Sequence, residues 1–115
     1  MHVIVYDFGT SSLKTCLFHI DTEVRIVAHA SASYGLYILD NGGAEQDVEE
    51  WWQAICATTH ELFRSTDVTT KEVDGLAFCA QMQGVVLVDE AGNALRRPMS
   101  YMDQRGTREF DDCMG

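Results

Sequence analysis

Asp7-Phe8-Gly9-Thr10-Ser11-Ser12-Leu13-Lys14 joins two β-rich runs within a few residues of Met1 and decides how the rest of the chain is read. The apolar run Val3-Ile4-Val5-Tyr6 reads as a buried strand, and Leu13 to Ile20 reads as the next one. Between them stand an acid, a glycine and three consecutive hydroxyl residues. A turn of this make-up holds a phosphate well. Gly9 permits close backbone approach and unusual torsions, while the amides and hydroxyls of Thr10, Ser11 and Ser12 donate to phosphate oxygens. Asp7 suits a metal ion, directly or through water, and Lys14 adds a positive charge. The same residue types also fill ordinary hairpin turns, so the eight residues leave both readings open.

The totals narrow the field. A chain of 115 residues holds one domain at most. The composition, 46% hydrophobic and 23% charged, is that of a soluble globular protein. No apolar run reaches bilayer length, and no basic region with an apolar signal core opens the chain, so a cytoplasmic protein is expected. A formal net charge of −10 argues against a nucleic-acid surface. It leaves anion binding open, because local donors and one cation overcome a distant field. Cys16, Cys56, Cys79 and Cys113 form no C-x-x-C pair and read as buried, reduced thiols, with Cys16 and Cys79 acting as small hydrophobes inside strands. The four histidines lack metal spacing.

Along the chain, Val3–Asp7, Leu13–Ile20 and Arg25–Ser33 read as an antiparallel meander. Tyr34 to Leu39 is strand-compatible, and Asp40-Asn41-Gly42-Gly43 is a loop. Asp47 caps a helix whose apolar face is Val48, Trp51, Trp52, Ile55, Cys56, Thr59, Leu62 and Phe63. Glu45, Asp47, Glu49 and Glu50 then find a structural reason at the positive end of that helix. Val73–Ala80 reads as a buried strand reached by an α/β crossover. Val85–Val88 continues as a strand, Asp89–Asn93 turns the chain, and a last helix starts at Asp103.

Two further segments carry chemistry. Gln81-Met82-Gln83-Gly84 puts two amides and a thioether at a strand end, where ligands commonly meet α/β sheets. Amides suit polyol hydroxyls and a methionine suits a sugar C–H face; a polar strand end before a glycine bend is the plainer reading. Tyr101-Met102-Asp103-Gln104-Arg105 combines a ring for sugar packing with a carboxylate for vicinal hydroxyls. Its plainer reading is a helix capped by Asp103, with Arg105 and Arg108 solvated. Neither a Walker loop nor a G-x-G-x-x-G fingerprint is present.

In this order the segments resemble the N-terminal part of the FGGY carbohydrate kinases. Asp7–Lys14 is similar to their first phosphate motif, D-x-G-T-[ST]-x-x-[KR]. Gly43–Asp47 followed by Glu50-Trp51-Trp52 resembles their acidic stretch entering a Trp-bearing helix. Gln81–Gly84 resembles Q-M-H-G, and Tyr101–Arg105 resembles W-x-D-x-R. The resemblance implies an α/β fold of the actin-like, ribonuclease-H-like type: a mixed sheet that opens with an antiparallel meander and is flanked by helices. It implies Mg-ATP-dependent phosphoryl transfer to a hydroxyl of a sugar or polyol, with ATP and sugar meeting in a cleft between two such domains. By the same comparison Asp7 helps hold magnesium, Gly9, Thr10, Ser11, Ser12 and Lys14 lie near the phosphates, and Gln81, Met82, Gln83, Tyr101 and Asp103 line the sugar site.

Gln83 stands where the family usually has His, and Tyr101 where it has Trp, so the choice of sugar is not carried over. Family members are several times longer, and their catalytic base and adenosine motifs lie outside these residues. Residues 1–115 are therefore expected to be part of an N-terminal sugar-binding domain, without its C-terminal partner, and inactive alone. The alternative is a non-catalytic sugar-sensing or self-associating domain, a homodimer joined through an open sheet edge.

Overall fold

The computed structural model describes residues 1–115. The chain divides into two compact units, Met1–Tyr34 with Glu49–Gln81, and Gly35–Val48 with Met82–Gly115.

The first unit is built on a four-stranded sheet. Strands β1 (His2–Phe8), β2 (Ser12–Ile20) and β3 (Val24–Ser33) form the antiparallel meander. A later strand, Val73–Ala80, joins β1 in parallel, giving the order β3-β2-β1 and then the late strand. A parallel neighbour requires a crossover, and the helix α1 (Val48–Arg64) supplies it. The mixed sheet and the crossover expected from sequence are both present.

The core forms where α1 lies on one face of the sheet. Strand alternation sends Ile4, Tyr6, Leu13 and Leu17 to that face, and all four are buried. Ala54, Thr58 and Leu62 come up from the helix at intervals of four residues. Two threads of hydroxyls cross this interface. Thr15 Oγ1 donates to Thr58 Oγ1 at 2.8 Å, and Thr58 in turn donates to the Ala54 carbonyl at 2.8 Å. Tyr6 Oη meets Thr59 Oγ1 at 2.7 Å, while Thr59 Oγ1 lies 2.6 Å from the Ile55 carbonyl. Each buried hydroxyl thus has a partner, which removes the desolvation penalty it would otherwise carry.

The helical face differs from the sequence expectation. Trp51 packs edge-on against Phe8 and Tyr34, with ring centroids 6.4 Å apart in each case. Trp52, one residue on, is 58% exposed. The buried stripe is centred on Ala54 and Thr58, residues too small or polar to mark it in a hydrophobicity pattern.

The second unit contains the short hairpin β4 (Tyr37–Ile38) and β5 (Ala44–Glu45). The expected strand over Tyr34–Leu39 shrinks to these two residues, since Ala44 and Glu45 alone face it across the turn. Following in chain order, the late sheet strand Val73–Ala80 is β6, and α2 spans Thr107–Met114.

Three other expectations are corrected. β6 is not buried: it is the edge of the sheet, and Leu76 and Phe78 are 58% and 64% exposed. Val85–Val88 forms no strand, because it finds only single bridges, Val85 to Met99 and Val88 to Ala94. The last helix starts at Thr107 rather than Asp103, because residues 103–106 are outside it, with turn hydrogen bonds from the Asp103 amide to the Ser100 carbonyl and from the Thr107 amide to the Gln104 carbonyl.

The two adjacent tryptophans test the placement of α1. Trp51→Ala should lower unfolding stability by about 3 kcal/mol and Trp52→Ala by less than about 1 kcal/mol. Equilibrium urea denaturation measures both, and equal losses would contradict the packing.

Candidate functional site

The hairpin between β1 and β2 closes on itself at the end of the sheet. Phe8 and Leu13 are the last paired residues. Beyond them the Gly9 amide donates to the Ser12 carbonyl at 2.9 Å. A Cβ on Gly9 would stand 3.2 Å from that same oxygen, tighter than ordinary contact. Close approach therefore favours glycine at this position. Its φ is not positive, so the unusual torsion anticipated from sequence is not its reason.

Tyr34, the residue that follows β3, clasps this turn. Its hydroxyl donates to the Gly9 carbonyl and, at 3.1 Å, to the Ser12 carbonyl. Its backbone amide donates to the Ser11 carbonyl at 3.1 Å. Burial first, and then the charge of Asp7, push the Tyr34 hydroxyl up to about 12, so it stays a donor at any physiological pH. The turn's carbonyls are thus drawn into the protein. Ser11 is exposed, with Thr10 and Ser12 half-buried. Nothing in the sequence marked Tyr34 as part of this turn; only the strand register brings it there.

Asp7 precedes the turn on the sheet face opposite α1, the face its pairing partners Lys14 and Cys79 share. No group of three or more His, Cys, Asp or Glu side chains is placed to hold a metal ion. A single carboxylate beside a turn of amides nevertheless fits magnesium, which is commonly bound by one or two carboxylates, nucleotide phosphates and water. Lys14 is exposed on β2. Gln81 arrives at the same end of the sheet, its amide donating to the Phe8 carbonyl at 2.7 Å. Asp7, the Gly9–Ser12 turn, Lys14 and Gln81 are brought together in the first unit.

Met82, Gln83, Tyr101 and Asp103 belong to the second unit. Met82 is 78% exposed, and Tyr101 is exposed too. Gln83 has φ 64°, the left-handed region that side chains other than glycine enter at a cost. Asp103 behaves differently from the solvent-facing acceptor or helix cap expected of it. Its Oδ2 accepts from the Ala44 amide at 2.9 Å and from Arg105 Nη2 at 2.6 Å. Its Oδ1 accepts from the Arg105 amide and Arg105 Nε, both at 3.1 Å.

Arg105 is correspondingly not solvated. It also reaches Glu45 Oε1 at 2.8 Å, and Arg96 Nη2 meets the same oxygen at 2.5 Å. Glu45, assigned from sequence to the start of the helix, instead lies in β5 with only 11% of its side chain exposed. Arg105 holds both carboxylates below their usual range, and its own guanidinium is pushed upward by them.

This network predicts acid sensitivity of the second unit. Asp103 has a folded-state value below its ordinary 3.8, so its stabilising contribution is complete above that value and fades as pH falls below it. Asp103→Asn should flatten the fall in thermal stability between about pH 5 and pH 2. Scanning calorimetry across that range measures it, and an unchanged acid slope would contradict the role given to the carboxylate.

Residues 2–114 match the family model described as the FGGY family of carbohydrate kinases, N-terminal domain. A xylulose kinase of Staphylococcus epidermidis is 34% identical over 116 residues, covering 98% of this chain and 23% of that protein. A Bacillus subtilis xylulose kinase is also 34% identical, over 92% of this chain and 21% of that protein. Among solved structures, xylulose kinase from Rhodospirillum rubrum superposes with TM-score 0.87 at 28% identity, over 99% of this chain and 23% of that one. The chain spans about a quarter of the length of the relatives it matches. Matched over nearly all its residues by that model and similar along its length to those kinases, the chain belongs to the FGGY family of carbohydrate kinases.

Proposed function

We propose that the protein carrying this domain transfers a phosphoryl group from Mg-ATP to a hydroxyl of a sugar or polyol, and that residues 1–115 supply its phosphate-facing turn and part of its sugar contacts. The observation that carries this reading is the closed Gly9–Ser12 turn, whose carbonyls are bonded into the protein beside the carboxylate of Asp7. Phosphoryl transfer proceeds mainly by positioning and charge stabilisation, and a rigid turn of amides and hydroxyls supplies both. Membership in the family and the relatives named as xylulose kinases support the same reaction class.

Within this reading the Thr10, Ser11 and Ser12 amides and hydroxyls donate to phosphate oxygens, Gly9 allows their close approach, and Lys14 adds positive charge. Asp7 orients water or metal at the transferring phosphate. When bound, magnesium neutralises charge on the phosphates. Gln81, Met82, Gln83 and Tyr101 contact the sugar. Asp103 lines the sugar site as well, its carboxylate held in place by the Ala44 amide and Arg105.

A second reading draws on the exposed Leu76 and Phe78 at the β6 edge: a sugar-binding or self-associating domain without catalysis. One assay separates the two. In the protein carrying this domain, Asp7→Ala should cut kcat by at least about a hundredfold while sugar affinity stays within about twofold. Residues 1–115 alone should give no sugar phosphate. Turnover by the isolated chain would contradict the proposed division of labour, and sugar binding without transfer by the longer protein would favour the second reading.

A further inference from the structure

β1 and β6 pair in parallel so that Asp7 lies directly opposite Cys79. On the other side Asp7 pairs with Lys14, and Lys14 with Ser31. Alternation puts Ser31, Lys14, Asp7 and Cys79 in one row, across all four strands, on the face opposite α1. In that row Cys79 Sγ lies 3.3 Å from Asp7 Oδ1. An ionised carboxylate only accepts, so the thiol is the donor. Sequence had marked Cys79 as a buried hydrophobe; it is exposed and hydrogen-bonded.

We propose that Cys79 is a positioning residue for Asp7, its thiol holding Oδ1 so that the carboxylate keeps one orientation at the phosphate end of the sheet. The inference rests on the kinase reading for its consequence, though not for its geometry. An aspartate on a strand turns about two side-chain bonds, and a partner on one oxygen restricts both. Oδ2 is left for water or metal. The exposed thiol thus has a defined partner, its proton aimed at Asp7 Oδ1. A hydroxyl in the same place would do the same work. An alkyl group would not.

Two measurements test this, one independent of catalysis. In the 115-residue chain, alkylation by iodoacetamide at pH 8 is followed by peptide mapping at Cys79, with the exposed Cys113 as internal reference. Asp7→Ala should speed modification of Cys79 several-fold and leave Cys113 unchanged, because the thiol is released from its hydrogen bond. An unchanged ratio overturns the hydrogen bond. In the protein carrying this domain, Cys79→Ala should lower kcat about tenfold with the sugar KM unchanged, and Cys79→Ser should restore kcat to within about twofold. Wild-type kcat in Cys79→Ala, where Asp7→Ala is inactive, overturns the positioning role and leaves the kinase reading standing. No turnover in the wild type overturns the kinase reading and leaves the alkylation result to judge the geometry.

Discussion

The pairing of β1 on both its edges is the constraint on which the first unit depends. β2 holds it antiparallel through a tight hairpin, and β6 holds it parallel after the crossover through α1. Because side chains alternate with a period of two, this double register fixes every neighbour of β1 at once. It sends Ile4 and Tyr6 into the core under α1. It sends Asp7 to the opposite face, between Lys14 and Cys79. It brings Gln81 to the end of the sheet where the Gly9–Ser12 turn projects. A one-residue slip in either ladder would exchange the two faces and dismantle both core and site. The hydroxyl threads from Thr15 and Tyr6 to α1 add directional contacts that such a slip could not satisfy.

The second unit is held by other means. With two two-residue strands and single bridges, it has little ladder to rely on. Charge-assisted hydrogen bonds take that place: Asp103 to the Ala44 amide, Arg105 to Asp103 and Glu45, Arg96 to Glu45. Such bonds are shorter and stronger than neutral ones and bind in specified directions. Removing one member leaves a shielded charge without its counterpart, which is costly. The acidic and basic residues of this region therefore serve architecture before any contact with substrate.

Long, strongly patterned elements were legible in the sequence. The meander, the crossover helix and the late parallel strand follow from runs of apolar residues and their turn signals. Less was legible where tertiary contact overrides local pattern. Thr58 and Ala54 do not announce a buried stripe, so Trp52 was placed on the apolar face of the helix although it is exposed. β6 reads as buried because it is apolar, yet only the sheet order shows that it is an edge. Asp103 has the features of a cap until Arg105, two residues on, is seen to wrap its carboxylate. Of the candidate site, the turn was visible from composition. Its supports, Tyr34 and Cys79, were not, since each arrives by strand register from 20 or more residues away.

The central claim is that the Gly9–Ser12 turn and Asp7 face transferred phosphate. A crystal structure of the protein carrying this domain, bound to magnesium and a non-hydrolysable ATP analogue, tests it most directly. The account predicts a phosphate oxygen within about 3 Å of an amide or hydroxyl of Thr10, Ser11 or Ser12, with Asp7 reaching the metal directly or through one water. Phosphates bound elsewhere, with the turn touching no part of the nucleotide or its metal, would contradict it.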